Sequence, residues 1–152
     1  MLFNLFRKNN QKESVKQHFQ DFNSDFTLRQ KKAIIGSLIV IAMADGDYDR
    51  SEARCLEETA MMLDYPLDDD INIAVLELMD MDREEVLATL NSLTSSQKDW
   101  YIITAMGMIH ADGKTLAEEL MTAAAYFENM GITPERVDNT LKKSMLFAEM
   151  LG

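Results

Sequence analysis

Several things are scarce in this sequence, and each scarcity closes off a class of protein. There is one cysteine, Cys55, so no disulfide can form within the chain, and such cysteine usage suits a reducing, cytoplasmic setting. Six glycines and two prolines leave little turn material for a many-stranded sheet. The two histidines, His18 and His110, are far apart in sequence, which argues against structural zinc and against a Cys–His nucleophile. Bases are in deficit: 15 Lys and Arg face 26 Asp and Glu, a net charge of −11. A nucleic-acid groove needs a basic face, so nucleic acid is not an expected partner. No apolar run is long enough to cross a bilayer, which takes about 20 residues. The longest, AIIGSLIVIAMA at 33–44, reads as a helix buried on most sides.

What is present is apolar substance and helical punctuation. At 152 residues and 47% apolar, the chain can bury one domain's core. Polar caps followed three residues later by Glu or Gln recur along it. Thr27 with Gln30 opens a segment through Ala44, and Asp49 with Glu52 one to about Leu63. Asp82 with Glu85 opens the next, to about Leu93, and Thr94 with Gln97 one through Ala111. Thr115 with Glu118 opens one to Met130, closed by Gly131, and Thr133 before Pro134 opens the last. Two weaker helices are expected at 13–23 and 69–79. No segment alternates at period two, so the expected class is all-α with about seven to nine helices. Many methionines, among them Met43, Met61, Met62, Met79, Met106, Met108 and Met130, sit at helical spacing and read as core filler. Cys55 reads the same way.

The chain also repeats itself. Sliding AMADGDYDRSEARCLEETAMMLDY (42–65) onto MIHADGKTLAEELMTAAAYFENMG (108–131) matches the Ala-Asp-Gly triplets at an offset of 67 residues. Asp45 then falls on Asp112, Gly46 on Gly113 and Glu52 on Glu119. Each half reads as a helical hairpin: buried helix, Asp-Gly turn, amphipathic helix with an early Glu. Gly46 and Gly113 are expected at positive φ, ending a helix.

These turns admit two readings. As punctuation, the Gly ends one helix, a cap starts the next, and the Glu suits the positive end of the helix dipole. As a cation site, Asp45, Asp47, Asp49 and Glu52 gather hard oxygen donors that suit Ca²⁺, or Mg²⁺ keeping most of its waters. The EF-hand pattern fails, because its sixth place holds Arg50 and its twelfth Leu56. The second copy is poorer in acids, with Lys114 and Leu116 where the first has Asp47 and Asp49.

The twice-occurring Ala-Asp-Gly after a buried helix, with Glu seven residues beyond the Asp, resembles the TerB-like family over roughly residues 27–131. That family includes tellurite-resistance proteins and the domain preceding the J-domain of certain membrane-anchored co-chaperones. The resemblance implies an all-helical domain of two similar halves, with divalent metal held at Asp45 and Glu52 and at Asp112 and Glu119. Asp47 and Asp49 are further acids that the second half lacks. It also implies a part in stress response or in membrane-associated assemblies, in a bacterial setting.

The expected organisation is an amino-terminal helical arm, 1–26, before a TerB-like domain, 27–152. Leu2, Phe3, Leu5 and Phe6 in residues 2–8 would allow weak peripheral contact with a membrane. The alternative is that the arm, with Phe3, Phe6, Phe19, Phe22 and Phe26, docks on the body or on a neighbouring chain. The expected function is a non-enzymatic module that binds a divalent cation or a protein partner. The alternatives are a structural, oligomer-forming domain without metal and an enzyme using paired carboxylates. For an enzyme the residues are thin: there is no Gly-rich phosphate loop and no H-E-x-x-H. His110 reads as a helix-end residue rather than a general base.

Overall fold

The computed structural model describes residues 26–44, 46, 50–65, 82–111 and 117–151. Among them are six α-helices and no strand. In chain order these are α1 (Leu28–Ala42), α2 (Arg50–Met62), α3 (Arg83–Asn91), α4 (Ser95–Ile109), α5 (Ala117–Asn129) and α6 (Pro134–Leu151). The helices expected at 13–23 and 69–79 lie outside the described residues, as does the arm before Phe26. No helix among the described residues is long and apolar enough to cross a membrane.

Local chemistry sets the helix ends. At α1 the Thr27 N–H donates to Gln30 Oε1 at 2.9 Å, and the Gln30 N–H donates back to Thr27 Oγ1 at 3.1 Å. Thr94 and Gln97 repeat this box at α4, at 2.9 and 3.2 Å. Each box satisfies two of the N–H groups that a helix start leaves orphaned. At α3 the expected box is only half made. Asp82 caps by accepting from the Glu84 N–H at 3.1 Å, while Glu85 reaches across to Arg29 at 2.7 Å. At α6 the Arg136 N–H donates to Thr133 Oγ1, and Pro134 takes the first helical place. The caps at Asp49 and Thr115 fall outside the described residues.

The helices α2 and α5 end alike. The Tyr65 N–H bonds the Ala60 carbonyl and the Asp64 N–H that of Met61. In α5, Ile132 bonds Phe127 and Gly131 bonds Glu128. Both are Schellman closures, which need a left-handed residue. Gly131 supplies it at φ +74, and Asp64 at φ +50.

The core is continuous across the elements. From α1 come Ile34, Ile35, Leu38, Ile39 and Ile41, from α2 Leu56, from α3 Leu90, and from α4 Tyr101, Ile102 and Ile109. Helix α1 packs against α2, α3, α4 and α5, and α4 packs against α1, α2, α5 and α6. These two are therefore the central helices. Where they meet, the fully buried Tyr101 hydroxyl lies 2.7 Å from Ser37 Oγ. Ser37 gives its own proton to the Ile34 carbonyl at 2.8 Å, so Tyr101 is the donor between the two. Burial pushes the Tyr101 phenol well above its ordinary value. Its ring meets Phe127 of α5 edge-on, with centroids 6.1 Å apart.

The expectation that methionines fill the core holds at Met108 and Met130, which are buried. It fails at Met61, 80% exposed, and at Met43, 40% exposed. The inner stripe of α2 is Glu52, Cys55, Leu56, Thr59 and Ala60, which turns Met61 outward. Cys55 is buried in that stripe, as expected.

Candidate cation-binding turns

Each candidate turn follows a central helix. Met43 ends α1 at φ −92, ψ 2, and the Ala44 N–H bonds the Ile41 carbonyl. Gly46 then bonds back to the Met43 carbonyl at 3.0 Å, at φ +82, the expected left-handed conformation. A Cβ at Gly46 would meet nothing within 4 Å, so the conformation alone favours glycine there. His110 ends α4 at φ −94, ψ 7, close to Met43, and the Ala111 N–H bonds the Met108 carbonyl. His110 is thus a helix-end residue, exposed to solvent.

Of the six candidate ligands, the structure describes Glu52 and Glu119. Asp45, Asp47, Asp49 and Asp112 lie outside the described residues, and so does Gly113. Glu52 is the third residue of α2, and Glu119 the third of α5. Their exposures are 3% and 2%. Among the described residues these are the only Asp, Glu, Lys or Arg side chains that are buried. Both lie in a first helical turn, where the dipole favours negative charge. Burial of a carboxylate there is still costly without compensating charge or hydrogen bonds.

Among the described residues no three His, Cys, Asp or Glu side chains form a group that could hold a metal. Helices α2 and α5 each carry one buried carboxylate in their first turn. Carboxylate oxygens are the donors that Ca²⁺ and Mg²⁺ take, so Glu52 and Glu119 fit the role of one ligand each, beside the acids of the adjoining turn.

The burial of these two glutamates was not foreseen, although a signal for it existed. Glu52 begins the stripe that continues through Cys55, Leu56, Thr59 and Ala60, and Glu119 begins the stripe of Ala123, Tyr126 and Phe127. A Glu in register with an apolar stripe points at the core.

A second polar feature was missed altogether. Arg136, in the first turn of α6, sends Nε and Nη2 to Asp99 Oδ1 at 3.3 and 3.1 Å. Nη2 also donates to the Ser95 carbonyl and hydroxyl at 3.0 and 3.1 Å. Thr140 Oγ1 adds a longer bond to Asp99 at 3.4 Å. These contacts fasten α6 to α4 beneath an open groove of about 630 Å³. The available signal was a base in a first helical turn, where the dipole disfavours it unless a partner waits.

The described residues define an all-helical module with a glutamate buried in the first turn of α2 and of α5. The sequence pattern of the family described as tellurite resistance protein TerB matches residues 1–75. Over that stretch the chain belongs to the TerB-like family. The match takes in residues 1–26 and ends before the second Asp-Gly turn. No curated protein and no solved structure matches the chain.

Proposed function

We propose that this chain is a non-enzymatic TerB-like module of two equivalent hairpins, whose acidic turns bind a divalent cation, Ca²⁺ or Mg²⁺. The observation that carries the reading is the pair of buried glutamates, Glu52 and Glu119, at the same place in two helices. The two-hairpin arrangement is supported by the helix limits. Leu28–Ala42 and Ser95–Ile109 differ by 67 at both ends, and so do Arg50–Met62 and Ala117–Asn129. It is supported again by the packing, since α1 lies on α5 while α2 lies on α4. That exchange is what two halves related by a two-fold would make. The cation would offset the negative charge of each turn and tie the second helix of a hairpin to the end of the first. In the cell such a module would serve stress response or protein assembly in the cytoplasm, as tellurite resistance proteins suggest.

The test is calorimetric titration of Ca²⁺ and Mg²⁺ into chelator-treated protein, with melts alongside. Binding should raise stability by about 2.7 kcal/mol at a hundredfold excess over Kd. Glu52→Gln and Asp45→Asn/Asp47→Asn should each abolish the heat of the first turn. No heat and no shift of the melt at millimolar cation would remove the metal from this reading.

One observation favours a protein-binding role without metal. Met61, Met121 and Met145 stand 80%, 72% and 64% exposed, and flexible apolar side chains of this kind suit adaptable protein contacts.

A further inference from the structure

We infer that the outward face of α5, centred on Met121, docks a helix of a protein partner whose apolar stripe is flanked by Lys or Arg. The inference rests on the protein-binding reading and sharpens it by choosing one of its three exposed methionines. It does not draw on the cation reading.

The starting observation is a contrast between two helices of equal length. Helices α2 and α5 are each 13 residues long, and both bury their third, seventh, tenth and eleventh residues. They therefore share one rotational setting. The face away from the core is made by the first, fifth, eighth and ninth residues, which lie on one side at helical spacing. In α2 these are Arg50, Arg54, Glu57 and Glu58, a charged face of the ordinary solvated kind. In α5 they are Ala117, Met121, Ala124 and Ala125. All four are exposed, and Met121 is 72% exposed. Beside them Thr122 turns its hydroxyl back to the Glu118 carbonyl at 2.8 Å, so its proton is held within the helix. The inward side of α5 is separate from this face. It packs against α1, α3 and α4 and buries Ala123, Tyr126 and Phe127. A helix in this setting needs no apolar outer face, as α2 demonstrates.

The shape of the face suits another helix. Alanines on both sides of Met121 leave shallow places around one flexible side chain. A second helix can come close there, and Met121 can adjust to its grooves.

The charges select the partner. Glu118 and Glu128 bound the face, and both are exposed. Neither takes part in the ion pairs of the described residues. Helix α5 itself contains no Lys or Arg. Glu128 stands in its last turn, at the negative end of the helix dipole, where an acid is disfavoured until a cation approaches. Two bases of other elements act elsewhere. Lys98 donates to the Met130 carbonyl beyond the helix end at 2.9 Å, and Arg83 acts on Tyr126, in the inward stripe.

A second copy of the chain does not meet this need. Two α5 helices face to face would set Glu118 and Glu128 against acids in either direction, and like charges across an interface oppose it. A partner helix with bases at the edges of its apolar stripe satisfies both the apolar face and the acids beside it. The net charge of −11 also draws such a partner in.

The probe is a peptide of about 16 residues, long enough for a marginal helix, with Leu at helical spacing and Lys on both flanks. A twin peptide carries Glu in place of each Lys. Methionine methyl NMR reads the site, with Met61 on α2 and Met145 on α6 as internal controls, both exposed. The Lys peptide should move the Met121 methyl saturably and leave those of Met61 and Met145 in place. The Glu peptide, which needs no variant, should bind about tenfold more weakly. Met121→Arg/Ala124→Glu gives α5 the residue types that α2 has at those two places, and it leaves the net charge unchanged. It should weaken the Lys peptide about tenfold with the melt unmoved. No saturable shift at millimolar Lys peptide overturns the inference. So does an affinity that stays the same in the double variant or with the Glu peptide. Movement of Met61 or Met145 in place of Met121 overturns it while the protein-binding reading stands. A Met121 methyl that moves on dilution of the protein alone, or on adding phosphatidylcholine vesicles, overturns it too, because the occupant would then be a second copy or a lipid surface.

Discussion

The pair α1–α2 and the pair α4–α5 have the same lengths, 15 and 13 residues, yet they differ at the point where their long helices meet. Helix α1 presents Ile34 and Ser37 there, and α4 presents Tyr101 and Thr104 at the same spacing. Both hydroxyls serve their own helix: Ser37 donates to the Ile34 carbonyl and Thr104 to that of Trp100. Only Ser37 also takes the Tyr101 hydroxyl. The two frames thus share their caps and closures but not their central side chains. Backbone punctuation is satisfied locally and can be copied, whereas a core position must fit the helix across from it.

The largest expected effect comes from breaking this centre. Tyr101→Ala should cost about 3–5 kcal/mol, toward the top of the range for large-to-small core changes. Ile34→Ala, its counterpart, should cost about 2–5 kcal/mol. Denaturant unfolding of both variants compares the two sides, and a small loss at Tyr101 with a large one at Ile34 would show that the first half alone organises the core.

The phenol itself sharpens the contrast. Its folded-state pKa is raised above the ordinary value of 10.0 by burial, so the neutral form is the one the fold holds. The stabilisation is therefore complete below pH 10 and is lost as pH rises above the unfolded value. Thermal melts should fall on the alkaline side of pH 10. Tyr101→Phe should lessen that fall, while costing on the order of 1 kcal/mol at neutral pH through the lost hydrogen bond. An alkaline limb identical in the variant would assign the effect elsewhere; Tyr126 is the next candidate, being also raised by burial, with Arg83 opposing.

The smallest effects lie at the helix ends. Gly131→Ala should destabilise by about 1 kcal/mol, because a Cβ is unfavourable at positive φ. Asp64→Gly should stabilise by a similar or smaller amount, since Asp64 holds the same conformation at φ +50. Equal and opposite shifts in melts would show that the two closures do the same work. A loss on Asp64→Gly would show that the Asp64 side chain contributes something there that the closure does not explain.

The helix limits were legible in the sequence because caps are short-range. Thr27, Asp82, Thr94 and Thr133 each stand at the helix start their spacing indicates, and α1, α2 and α5 end within two residues of the expected limit. Glu85 was misjudged because a reciprocal cap competes with any base within reach, and Arg29 is within reach. The outward face of Met61 was misjudged for a similar reason: spacing gives a stripe, but which stripe faces inward depends on the neighbour. Of the candidate ligands, spacing placed Glu52 and Glu119 in their first turns correctly. It did not convey that both would be buried, although the register with Cys55 and Ala123 carried that information.

The asymmetry at Tyr101 and Ser37 has a consequence for how the chain tells itself from its copies. Two helix pairs of equal lengths on one chain could in principle pair first with first and assemble without end. Pairing two α1 helices would bring together Ser37 hydroxyls with no tyrosine to meet them. Pairing two α4 helices would press one bulky Tyr101 ring toward another in a place where the fold fits one against the small Ser37. In the unlike pair the Tyr101 hydroxyl meets an oxygen whose own proton is already placed on the Ile34 carbonyl, so donor and acceptor roles in this buried contact are fixed in advance.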